Sequence, residues 1–267
     1  MFSLIKLSYF ACNDEEKEWY NTIPNSIKKV DLQQCCLFLL GTTTEREKII
    51  KPDFSICTSA AEHGHLDCLM FAHYLGLEWN TRTCILAAQN GHLNTLKYAH
   101  EHGCPWNEST CAIASARGYI DILKYAHEHG CPWNKGTCDA ACEFGQLDIL
   151  KYAHEQGCPW DANTCKFAAS RGQIDTLKYA HENGCPWDKG TCEMAAMSGN
   201  INILRYAHEN GCEWSTHTAE MAVISGKLEI LQYVFENGCP RNLSTSTLRF
   251  LWASQPDLFI YAMSKLT

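Results

Sequence analysis

LKYAHEHGCPWN, residues 96–107, is written again letter for letter at 123–134. It returns as LKYAHEQGCPWD at 150–161 and LKYAHENGCPWD at 177–188, each time 27 residues after the last. Trp79, Trp106, Trp133, Trp160, Trp187 and Trp214 stand in one column of this unit. Self-similarity at a fixed period of this size means one supersecondary unit stacked on copies of itself, because a single copy cannot bury its own apolar face.

The columns beside the tryptophans say what the unit is. The next residue is Asp53, Asn80, Asn107, Asn134, Asp161, Asp188, Ser215 or Asn242, each a preferred helix N-cap. Eleven positions on come Gly64, Gly91, Gly118, Gly145, Gly172, Gly199 and Gly226, suited to the left-handed turn that stops a helix. Cap and stop bracket a first helix of about ten residues. A second glycine column, Gly76 to Gly238, closes a second helix. The start of that helix is marked by Asp67, Asn94, Asp121, Asp148, Asp175, Asn202 and Glu229, suited to a cap or to the positive end of the helix dipole. Leu93, Leu96 and His100 form a stripe at i, i+3 and i+7 on the second helix, while Cys111, Ala114 and Ser115 on the first leave room for close contact. The expected fold is an all-α solenoid of stacked helix-turn-helix repeats. Seven repeats fill residues 52–240, a degenerate capping repeat fills 241–267, and a helical N-terminal end unit, with Asn13 as a cap and a second helix over 26–40, fills 1–51.

Composition limits the function classes. The net charge is −8 and no basic run occurs, which argues against a nucleic-acid backbone as partner. No apolar run reaches membrane-spanning length, and the start, MFSLIKLSYFAC, has too short an apolar core for a secretory signal, so a soluble cytoplasmic protein is expected. Seventeen cysteines would suit a disulfide framework in a small secreted domain, but the number is odd. The Cys57, Cys84, Cys111, Cys138, Cys165, Cys192 column and the Cys104, Cys131, Cys158, Cys185, Cys212, Cys239 column use the residue as a small buried hydrophobe, reduced in a reducing compartment.

AAQNGHLNTLKYAHEHG, Ala87 to Gly103, resembles the ankyrin signature of paired alanines, a glycine, a His-Leu pair and a second helix closed by glycine. The likeness covers residues 52–240 well and the last 27 weakly. Ankyrin units are 33 residues long and carry a β-hairpin finger between helix pairs. Here that connection is six residues shorter, and the CPW loop leads almost directly into the next cap. This short form is similar to the ankyrin repeat proteins of giant DNA viruses of amoebae and some protists. The resemblance implies a non-enzymatic protein-interaction scaffold without long fingers, directed at host proteins in the host cytoplasm, as in a ubiquitin-ligase adaptor. No F-box-like segment stands in 1–51 or 241–267. A self-assembling structural component and a zinc-stapled array are the alternatives.

Several columns invite chemistry. His127, Cys131 and Cys138, repeated in each copy, are of the residue types that bind structural zinc in tetrahedral sets. The spacing is not that of paired CxxC motifs, and packing accounts for each residue separately: the ankyrin likeness puts the histidine at a buried leucine position and Cys131 at a small alanine one. Cys111 can pack on Trp106 as a staple. His127-Glu128-His129-Gly130-Cys131 approximates HExxH, but Gly130 ends the helix before Cys131 and breaks the shared face. The tryptophans lack the basic groove that base stacking needs, so packing before each cap explains them better. Glu101, Glu128, Glu155, Glu182, Glu209 and Glu236 sit where the helix dipole disfavours an acid, and a salt-linked surface row with Lys97, Lys124, Lys151 and Lys178 is expected. No cofactor or small-molecule ligand is indicated.

Recognition in a repeat array usually lies in columns that vary. Positions two, six and ten after each tryptophan share a face of the first helix, which in ankyrin proteins lines the concave groove. The expected protein-binding residues are Glu108, Ala112, Lys135, Asp139, Glu143, Lys166, Ser170, Lys189 and Glu193, with Arg117 and Arg171 beside them.

Overall fold

A computed structural model describes residues 55–266. The helical end unit expected over 1–51 and the Asp53 cap lie outside the described residues. Among the described residues there are sixteen α-helices and no strand. They come as α1 (Ser55–Glu62) with α2 (Leu66–Tyr74), α3 (Thr81–Gln89) with α4 (Leu93–Glu101), and α5 (Glu108–Arg117) with α6 (Ile120–Glu128). Then follow α7 (Lys135–Glu143) with α8 (Leu147–Glu155), α9 (Ala162–Arg171) with α10 (Ile174–Glu182), and α11 (Lys189–Ser198) with α12 (Ile201–Glu209). The last are α13 (Thr218–Ile224) with α14 (Leu228–Glu236) and α15 (Thr245–Ser254) with α16 (Pro256–Leu266).

The chain divides into two compact units between Pro132 and Trp133, at the start of one 27-residue copy. In the first unit, α1, α3 and α5 pack side by side and α2 packs beside α4. In the second, α7, α9, α11, α13 and α15 pack in chain order, with α8 beside α10, α12 beside α14 and α14 beside α16. Each unit is therefore a solenoid stack of helix pairs. Its core is made of small and branched residues: Cys84, Ala87, Ala88, Leu96 and Ala99 are fully buried in one layer, and Cys165, Ala168, Ala169, Leu177 and Ala180 in another. Alanine and cysteine at these positions let helix backbones approach closely, which keeps a 27-residue layer thin.

The caps form where the column after the tryptophan places them. The side-chain oxygens of Asn80, Asn107, Asn134, Asp161 and Asp188 accept the N–H two residues on at 2.8–3.1 Å. Each such cap contributes about 1 kcal/mol. Ser215 accepts from the His217 N–H at 3.0 Å in the same way, although α13 begins only at Thr218. The last copy departs from this: Ser244, not Asn242, caps α15, its hydroxyl accepting from the Thr247 N–H at 3.2 Å. The Ser244 N–H is in turn held by the Glu220 carboxylate at 3.0 Å, which anchors the helix start two residues later than the repeat register.

The second helices start one residue earlier than their acidic column suggests. Asp67, Asp121, Asp148 and Asp175 are the second residues of α2, α6, α8 and α10, preceded by His65, Tyr119, Gln146 and Gln173, none of which makes a side-chain cap bond. The acids thus act on the dipole and not as caps. Asn200 is the exception, accepting from the Asn202 N–H at 3.1 Å.

Both glycine columns have left-handed backbones, φ running from +67° to +86°. At Gly103 a Cβ would meet nothing within 4 Å, so Gly103→Ala should cost only the backbone strain of about 1–2 kcal/mol. At Gly91 a Cβ would come within 2.8 Å of the Tyr119 ring, so Gly91→Ala must also displace that ring. In urea titrations of the two variants Gly91→Ala is expected to be the less stable; equal midpoints would contradict this packing.

Candidate interaction surface

The joint between successive helix pairs accounts for the residues that looked most like a reactive site. The Cys104 thiol donates to the Asn80 carbonyl at 3.3 Å, and Cys131 does the same to Asn107. In the second unit Cys158, Cys185 and Cys212 donate to Asn134, Asp161 and Asp188 at the same distance. Each thiol therefore binds the carbonyl of the cap residue 24 positions earlier, tying one copy to the previous one. Burial pushes the Cys57 thiol up to about 12, with Cys104 adding to the effect, and Cys239 up to about 11, whereas the bonds from Cys138 and Cys192 lower the pKa of Cys158 and Cys212.

The histidine column is half-buried and stacked. His100 lies on Trp106 with ring centroids 3.7 Å apart, His154 on Trp160 at 3.9 Å and His181 on Trp187 at 3.6 Å. The tyrosine of the next copy meets each histidine edge-on, and His73, His154 and His208 share a hydrogen bond between Nδ1 and the hydroxyl of Tyr98, Tyr179 and Tyr233 at 3.1–3.2 Å. Trp187 and Trp214 pack on a core of Cys192, Ala207 and Cys212. The candidate metal set separates accordingly. In the complete copy within the second unit, His154 turns to Trp160 and Tyr179 while Cys158 turns to a backbone carbonyl. Burial and the bond to its neighbour Cys158 raise the pKa of Cys138. Among the described residues no group of three or more His, Cys, Asp or Glu is placed to hold a metal ion.

Lysines and glutamates of these rows reach the tyrosine of the next copy. Lys97 Nζ lies 5.2 Å from the Tyr125 ring centre, and Lys178 lies 5.6 Å from that of Tyr206. Burial raises the Tyr125 pKa, and the facing Glu101 carboxylate raises it further; Glu182 acts likewise on Tyr206. The tyrosine column, 19 residues after each tryptophan, carries this contact and was missed in the sequence. Its signal was its invariance from Tyr98 to Tyr233.

On the first-helix face the structure brings several expected residues together, but to one another. In the second unit Lys135 pairs with Asp161 at 2.6 Å, Lys166 with Asp188 at 2.8 Å, Glu143 with Arg171 at 2.7 Å, and Lys189 with Glu213 at 3.3 Å. Thr164 Oγ1 donates to Asp139 at 2.6 Å, and the Ser215 hydroxyl donates to Glu193. The Lys135 ammonium lowers the Asp161 pKa, whereas burial raises that of Asp139 against the pull of Thr164. The column six after the tryptophan thus reaches forward to the start of the next helix. Ser170 bonds back to the Phe167 carbonyl at 2.9 Å. In the first unit Glu108 and Arg117 are exposed at opposite ends of α5, and Ala112 is half-buried.

Besides these exposed ion pairs, the face offers large apolar side chains to solvent in the second unit. Phe167 is 39% exposed, Met197 36% and Ile224 57%. They lie on α9, α11 and α13, which pack in succession. Beside them opens a cleft of about 460 Å³ lined by Ser170, Arg171, Ser198, Asn200, Lys227 and Glu229.

Among solved structures, the human ASB11 ankyrin repeat domain matches this chain with a TM-score of 0.56. The fold is ankyrin-like. Sequence identity is 15%, and the match covers 69% of this chain and 98% of that one. No protein-family model matches the chain, and no curated protein does. The ankyrin-like architecture is reached without strands among the described residues, as the shortened connection implies.

The forward column makes a stability test possible. Asp139→Ala would leave the Thr164 hydroxyl buried without that acceptor and is expected to cost about 1–3 kcal/mol. Thr110, fully buried, already has no acceptor for its hydroxyl, and Ile85 occupies the forward column of the preceding copy. Thr110→Val should therefore be neutral or stabilising. Chemical denaturation of the two variants checks the pair; similar losses would show that the acid is not the acceptor that matters.

Proposed function

We propose that the protein is a non-enzymatic protein-interaction module whose partner docks on the first-helix face of the second unit, along Phe167, Met197 and Ile224. The observation that carries this reading is the division of labour on that face. The charged residues pair between copies, and among the side chains exposed beside them are large apolar ones with no such partner in the next copy. Flexible methionine and exposed aromatic groups suit a surface that repacks around another protein. The 27-residue CPW repeat supports kinship with the short ankyrin-like proteins of giant viruses, hence a host protein as partner in host cytoplasm. No described helix is long and apolar enough to cross a membrane.

Self-assembly is favoured by one separate observation: Trp252 is 72% exposed and Ile260 66% on the last helix pair. The two readings part in one experiment. Phe167, Met197 and Ile224 are changed together to serine, unfolding is checked, and proteins crosslinked from host-cell extract are quantified against the unaltered chain. Loss of the captured set by about tenfold or more, at an unchanged melting temperature, is the expected result. Retention of every captured protein would remove the face from consideration. Concentration-dependent sedimentation that Trp252→Ser abolishes would favour assembly instead.

A further inference from the structure

The histidines are unevenly shared between the two units. Eight of the twelve, His63, His65, His73, His92, His100, His102, His127 and His129, fall before residue 133. Most of these touch one another. His63 and His65 stack at 5.5 Å, His73 meets His102 edge-on at 5.5 Å, and His100 meets His129 at 5.9 Å. In the second unit His154, His181 and His208 keep the tryptophan stack and the edge-on tyrosine, yet no second imidazole faces them.

The column that makes the difference is the residue after each second helix. It reads Leu75, His102 and His129 in the first unit and Gln156, Asn183, Asn210 and Asn237 in the second. The structural duty is the same in both. His102 and His129 donate Nδ1–H to the carbonyls of Tyr98 and Tyr125 at 2.8 Å. Asn183 and Asn210 donate their amide to those of Tyr179 and Tyr206, also at 2.8 Å. An amide makes this bond at any pH, whereas imidazole makes it and also acquires a charge near pH 6.5.

We propose that the first unit is an acid-responsive segment, whose helix pairs loosen as pH falls below neutral while those of the second unit hold. Its paired imidazoles cannot all be charged without repulsion, and the surroundings offer little relief. His73 faces Trp79, Tyr98 and His102 and no carboxylate among its contacts. His100 faces Trp106, Tyr125 and His129, with Glu101 as its counter-charge and Lys97 as a like charge over the Tyr125 ring. His65, at the start of α2, faces His63 beyond the end of α1 and His92 before α4, and His92 Nε2 is bonded to the Glu62 carbonyl at 3.2 Å.

The direction of the effect follows from the neutral state that folding prefers. Burial lowers the pKa of His65, His73 and His100, as it does that of His181 in the second unit, and in the first unit the neighbouring imidazole lowers it further. The unfolded chain then takes up protons first, so stability is complete above the ordinary value of about 6.5 and declines as pH falls below it. A cation stacked on tryptophan gains some attraction, but that stack occurs in both units and cannot distinguish them.

Hydrogen exchange of the full chain at pH 7.5 and 5.5, normalised to intrinsic rates, reads this helix by helix. Protection within 55–132 is expected to fall by about tenfold or more, and within 133–266 by less than about threefold. His102→Asn with His129→Asn, which gives the first unit the letters of the second, should bring its loss down to the second unit's level. Asn183→His with Asn210→His should install acid sensitivity around α10 and α12, and it keeps the test decisive if the first pair folds poorly. Equal loss across both units in the unaltered chain would overturn the proposal, as would an unaltered pH response of the second unit carrying the new histidines.

Discussion

A helix of seven to eleven residues does not persist alone in water, and every helix described here falls in that range. Stability must come from packing between copies. The thin layer imposes the composition: alanine and cysteine at the contacts, leucine or isoleucine inside the second helix, and one large ring per copy at the joint. That ring is placed where three copies of chemistry meet, on the histidine before it, under the tyrosine after it and against the cysteine core. The thiol bond to the previous cap carbonyl closes the same joint from inside.

This economy explains why residues with catalytic reputations recur without forming a site. Imidazole is used here as a flat, half-polar plate that stacks on indole and accepts or donates one bond to a tyrosine. Thiol is used as a small apolar group with a weak donor at its tip. Both uses require the uncharged form, and burial supplies it. At Cys57 and Cys239 burial pushes the thiol up, the opposite of what a reactive thiol beside a positive charge would show.

Much of the fold was legible because each boundary carried a residue with a local physical reason to be there: Asn107 extended with its side chain folded onto Ser109, Gly118 left-handed after α5. Such signals need no knowledge of neighbours. The acidic residues near the second helix start left cap and dipole open, because a carboxylate at the second position and one at the cap answer the same field, and only the backbone distinguishes them. Asn242 misled because Glu220, in another copy, decides where α15 begins. The candidate interface was legible only as a face. Variation between copies marked a helix surface, but it could not separate letters that vary because a partner reads them from letters that vary because the next copy does.

That second kind of variation gives the second unit an order. Asp139 stands before Thr164, Glu193 before Ser215, and Glu220 before Ser244 and Thr247, so each acid meets a hydroxyl or N–H that the following copy supplies. Lys166 instead precedes Asp188, a cap carrying the opposite charge. Exchanging the copies that begin at Trp160 and Trp187 would set Glu193 before Asp161 or Lys166 before Ser215, replacing an ion pair with a repulsion or a bond with a buried ammonium lacking its acid. Copies that look interchangeable by their framework are therefore not interchangeable by their forward column. The letter at each forward position is thus set by the copy that follows it.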